Sequence, residues 1–181
     1  MSATESIKCS NNCFFSLIET KIAEGKSVKF RVKGNSMYPF LRDGYDLVIL
    51  EKCSTDSLKP MDVILFRYRG IYILHRIIKR DGVRLLIQGD GVISAIEQCT
   101  VDDVVGKVVK VCRSSGKTIS VDSKRWILLS RLWRCSKIIR VLGLKLNSFR
   151  CYEWQLCCTK GTLCVYEEQL SLLRKMSSLI M

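Results

Sequence analysis

From Val28 to Val121 the chain alternates in short bursts. Val28-Lys29-Phe30-Arg31-Val32 sets apolar residues against basic ones, the period-two pattern of a strand with one buried face. Tyr45 to Leu50, Val63 to Phe66, Ile71 to Ile78, Val83 to Gln88, Asp102 to Val111 and Ile119 to Val121 read as further strands. Turn signals separate them: Pro39 and Gly44, Lys59-Pro60-Met61-Asp62, Arg69-Gly70, Arg80-Asp81-Gly82, Gly89-Asp90-Gly91 and Gly116. Short strands joined by turns predict a mostly β domain over residues 28–121, compact and coiled like a barrel. Two stretches follow another period. Phe14 to Glu24 places apolar residues at 14, 15, 17, 18 and 22, which predicts a short helix within an N-terminal arm of residues 1–27, ended by Gly25. Beyond Asp122, Trp126, Leu128, Leu129, Leu132, Trp133, Ile138, Ile139 and Leu142 recur at helical spacing, with Gly143 as a stop. A last helix is expected from Glu167 to Met181, so residues 122–181 read as a helical C-terminal extension.

Charge changes this picture most in the extension. Thirty Lys and Arg against seventeen Asp and Glu leave a net charge of +13, which favours anionic partners. Lys124, Arg125, Arg131, Arg134, Lys137, Arg140 and Lys145 flank Trp126, Trp133 and the leucines, a composition suited to an interfacial helix on an anionic membrane surface. The cations interrupt every apolar run short of the ~18 residues that a spanning helix needs. Nucleic acid is not an expected partner, because no reading motif accompanies the charge.

The ten cysteines are read as reduced thiols. The chain is long enough to fold without staples, and Met1-Ser2-Ala3-Thr4-Glu5-Ser6 lacks the basic-then-apolar opening of a secretory leader, so a cytoplasmic protein, at most peripheral at a membrane, is expected. Cys151, Cys157, Cys158 and Cys164 lack the paired spacing of a metal site and have no histidine nearby. No metal or organic cofactor is expected.

His75 is the single histidine, and so the one candidate for a proton acceptor near neutral pH. Ser36 sits on a turn punctuated by Gly34 and Pro39. A serine hydroxyl is a poor nucleophile until a base accepts its proton, and a carboxylate that fixes the imidazole tautomer makes that base effective.

Gly34-Asn35-Ser36-Met37-Tyr38-Pro39 followed by Asp43-Gly44-Tyr45-Asp46-Leu47-Val48 resembles the Ser-Met-x-Pro box and the next strand of type I signal peptidases. Pro60-Met61-Asp62-Val63-Ile64-Leu65-Phe66 is similar to that family's Gly-Asp-Ile-Val-x-Phe strand. Leu74-His75-Arg76-Ile77 resembles the Val-His-Arg-Val box of the Ser/His branch, the endoplasmic-reticulum and sporulation-type enzymes. Gln88-Gly89-Asp90 resembles the Lys-Gly-Asp box, and Val105-Gly106-Lys107-Val108 the closing strand. The matches run in family order over roughly residues 28–112. LexA-like repressor peptidases share the fold but carry lysine where His75 stands.

The resemblance implies a signal-peptidase/LexA-type fold and a serine endopeptidase that cuts a precursor, leader or signal peptide bound in extended form. Ser36 matches the nucleophile and His75 the general base. Asp90 matches the first acid after the histidine box and is preferred as the third member, with Glu97 and Asp102 behind it. Relatives often place a serine two positions before the nucleophile; this chain has Gly34 there, so the oxyanion hole would rest on backbone N–H groups around Ser36. Relatives also carry an N-terminal anchor, and none is read in this sequence, so peptide-bond hydrolysis is implied more directly than secretory signal removal. Two other readings stand beside this one: an inactive peptidase-fold module that binds a membrane surface or a protein, and a LexA-like domain that cuts itself.

Overall fold

The computed structural model describes residues 11–135, 140–142 and 144. The chain divides into two compact units, Met1–Ile127 and Leu128–Met181. The division falls inside a helix, a few residues beyond the boundary expected at Asp122. The helix expected from Glu167 to Met181 lies outside the described residues.

The first unit is mostly antiparallel β sheet. Helix α1 (Asn11–Ala23) leads into β1 (Val28–Arg31), β2 (Leu47–Glu51), β3 (Val63–Tyr68), β4 (Ile71–Asp81), β5 (Arg84–Gln88), β6 (Glu97–Thr100), β7 (Val104–Cys112) and β8 (Thr118–Ser120). Helix α2 (Lys124–Cys135) follows. The sheet order is β1-β2-β7-β3-β4-β5-β6, with β8 paired to β7, so β1 and β6 are its two end strands.

The apolar pattern explains the layering. Val63-Ile64-Leu65-Phe66 is buried on both faces, as a continuous apolar run requires. Ile64 and Phe66 join Leu58, Ile77, Leu85, Ile87, Cys99 and Val101 in one apolar cluster. Register shifts at Ile49/Leu50, Leu65/Phe66 and Ile77/Lys79 add local bends to the sheet. The β3–β4 hairpin closes over Arg69 and Gly70, both at positive φ (50° and 81°), the conformation of a tight turn that matches strand twist.

Strand β6 has no counterpart among the expected strands. Only Cys99 of its Glu-Gln-Cys-Thr sequence is buried, so an end strand with one wet face carries no apolar alternation to read. The expected strand from Asp102 starts two residues later, because residues Val101–Asp103 form a 3-10 turn. Asp103 caps that turn by accepting from the Thr100 N–H at 2.8 Å.

Candidate active site

His75 lies on β4, opposite Ile64 of β3, and is buried to 5 % exposure. Side chains alternate across a strand, so His75 and Arg76 face opposite sides of the sheet. Cross-strand partners share a face. Ile77 pairs with Ile87, and Ile87 pairs with Glu97, so register carries the face of His75 across β5 to the first residue of β6. The Glu97 carboxylate oxygen Oε2 meets His75 Nδ1 at 3.2 Å.

Asp90 does not face His75. It takes the opposite side with Arg76, and both side chains are fully buried. Arg76 donates from Nη2 at 2.7 Å and from Nε at 2.9 and 3.1 Å to the Asp90 carboxylate. Its Nη1 donates to the Met61 carbonyl at 2.7 Å, and its guanidinium lies 5.2 Å from the Phe40 ring centre. A buried guanidinium needs a carboxylate more than an imidazole does, and the parity of the strand decides which residue Asp90 serves. The expectation that Asp90 orients the histidine is corrected accordingly: Glu97 holds that place. Asp102 is exposed on the turn between β6 and β7.

Ser36 stands in a turn held at both ends. Gly34 N–H donates to Asp43 Oδ1 at 2.8 Å, Tyr38 N–H to the Asn35 carbonyl at 3.1 Å and Leu41 N–H to the Met37 carbonyl at 2.9 Å. Met37, Phe40 and Leu41 are buried and anchor the turn in the core. No backbone hydrogen bond occupies the N–H of Ser36 or of Met37 among the described residues.

The Gly89-Asp90-Gly91 turn brings these parts together. Gly91 N–H donates to the Ser36 carbonyl at 2.8 Å. A methyl group on Gly89 would lie 2.3 Å from that same carbonyl oxygen and 3.0 Å from His75 Nε2. One on Gly91 would lie 2.5 Å from the Asn35 carbonyl oxygen. Both positions therefore exclude a side chain. The Ser36 backbone and His75 Nε2 border one point in space, and Nε2 is the ring nitrogen that Glu97 leaves open. The Ser36 hydroxyl makes no hydrogen bond to the ring among the described residues. Such bonds are often long before substrate binds.

Arg76 follows His75 directly, so strand alternation sets it on the opposite face, where it pairs with Asp90; that pairing was not read from the sequence. No sequence signal marked the close approach of Gly89 and Gly91.

Among the described residues no group of three or more His, Cys, Asp and Glu side chains is disposed to hold a metal ion. Cys151, Cys157, Cys158 and Cys164 lie outside the described residues. No helix among the described residues is long and apolar enough to cross a membrane. No protein-family model matches the chain, and no curated protein matches it.

Proposed function

We infer that the chain is a serine endopeptidase of the signal-peptidase type, with Ser36 as nucleophile, His75 as general base and Glu97 as the acid that orients the ring. The observation that carries this is the division of labour at the imidazole: Nδ1 meets a carboxylate, and Nε2 borders the Ser36 turn. A neutral ring with its proton on Nδ1, donated to Glu97, leaves Nε2 free to accept the Ser36 proton.

In this mechanism Ser36 Oγ attacks the scissile carbonyl carbon as its proton passes to Nε2. Glu97 stabilises the imidazolium that results. The Ser36 and Met37 N–H groups are available to the developing oxyanion. The imidazolium returns the proton to the leaving amine, and water, activated by the same nitrogen, releases the acyl group from Ser36. The substrate is a precursor, leader or signal peptide in extended form. Strand β1, which among the described residues pairs only with β2 and runs toward Ser36, offers an edge to such a peptide.

A second reading has one observation in its favour. The Ser36 hydroxyl is not hydrogen-bonded to the ring, and Gly34 supplies no second hydroxyl, which suits a catalytically weak or inactive module of the same fold. Incubating the full chain with a proteome-derived peptide library separates the two readings. The enzyme reading expects new termini by mass spectrometry that vanish with Ser36→Ala at unchanged melting temperature. Termini that persist in that variant, or none at all from the unmodified chain, would leave the module reading in place.

A further inference from the structure

We propose that the exposed face of α2 docks on an anionic lipid surface, with its leucines immersed among the headgroups. This goes beyond the peptidase reading and does not depend on it. At about 100° per residue, Arg131, Lys124, Cys135, Leu128, Leu132 and Arg125 fall in that order across an arc of roughly 120°. All six are exposed, while Trp126, Ser130 and Trp133 are buried on the opposite side.

Leu128 and Leu132 are each 57 % exposed, one turn apart on the same stripe. The leucine row thus runs along the middle of the arc. Arg131 and Lys124 border it on one side and Arg125 on the other. A helix lying in the headgroup plane needs this order: apolar side chains pointing down, and long cationic stems reaching sideways to the phosphates. The arrangement selects its occupant. Nucleic acid would use the cations but has no place for two adjacent leucines. A second copy of the same face would bring like charges together along both borders. An anionic bilayer satisfies both components at once, and the +13 charge of the chain adds long-range attraction.

The test is sedimentation of the full chain with vesicles of phosphatidylcholine mixed with phosphatidylglycerol, against vesicles of phosphatidylcholine alone. Binding is expected to the anionic vesicles only and to fall steeply with added salt, a result that needs no variant. Lys124→Gln with Arg131→Gln should weaken partitioning about 25-fold, at about fivefold per cation. Leu128→Ser with Leu132→Ser should weaken it by about tenfold or more at unchanged charge and unchanged helical circular dichroism. Equal binding to neutral vesicles would overturn the proposal. So would indifference to the leucine pair, or heparin capture that both variant pairs affect just as they affect vesicle binding.

Discussion

A histidine serves as a base only when its proton sits on the nitrogen facing away from the nucleophile. At the residue scale that makes the half-buried Glu97 and the buried Asp90 different in kind. Glu97 faces His75 Nδ1, whereas Asp90 is spent on Arg76. Glu97→Gln is therefore expected to lower kcat by about 10²–10⁴-fold with little change in melting temperature, because the ring loses its preferred tautomer and its partner as imidazolium. Asp90→Asn should do the reverse. It strips a buried guanidinium of its counter-charge and should cost about 3–5 kcal/mol of stability by urea titration. If Asp90→Asn melts normally and Glu97→Gln turns over at full rate, the assignment of the two acids is wrong.

At the scale of elements, local chemistry sets some turns and strains others. Lys59-Pro60-Met61-Asp62 closes with the Asp62 N–H donating to the Lys59 carbonyl at 3.2 Å, and Met61 adopts φ 83°. That is a type II turn with methionine where glycine is favoured, and where the resembled peptidase strand has glycine. The strained residue aims its carbonyl at Arg76. Met61→Gly is expected to raise stability by about 0.5–1 kcal/mol, read by urea titration with the slope unchanged. A loss instead would mean that the half-buried methionine side chain contributes more than the strain costs.

The same scale explains what could be read from the chain. Strands β1 to β5 and β7 announce themselves because each buries a face or lies between buried neighbours, as Val63-Ile64-Leu65-Phe66 does. Strand β6 does not, because among the described residues it pairs on one side only and buries Cys99 alone. Glu97 was ranked behind Asp90 for the same reason. Its approach to His75 follows from the pairings Ile77 with Ile87 and Ile87 with Glu97, and pairing register is not written in local alternation. Ser36 and His75 were singled out because motifs in sequence order carried them.

For the whole molecule, one buried group links folding to alkaline pH. Burial in the cluster around Ile64 and Phe66, with Asp103 adding to it, pushes the Cys99 thiol from its ordinary 9.0 up to about 12. Between those values the unfolded chain sheds a proton that the folded chain keeps, so this group's contribution to stability falls as pH rises and is constant below pH 9. The stability difference between the unmodified chain and Cys99→Ala should shrink above pH 9 by up to about 1.4 kcal/mol per pH unit. A difference that stays flat through that range would show that the thiol ionises as readily folded as unfolded. The site is also a property of the whole sheet, since β4, the turn after β1, the Gly89-Gly91 turn and end strand β6 each supply one part of it. Ser36 and His75 are expected to act as one unit, and turnover of a cleaved peptide in Ser36→Ala, His75→Ala and the double variant reads whether they do. Each single variant should lose about as much rate as the double, because removing either partner disables the same proton transfer. Losses that multiply in the double variant, or a His75→Ala enzyme that cleaves at the unmodified rate, would contradict it.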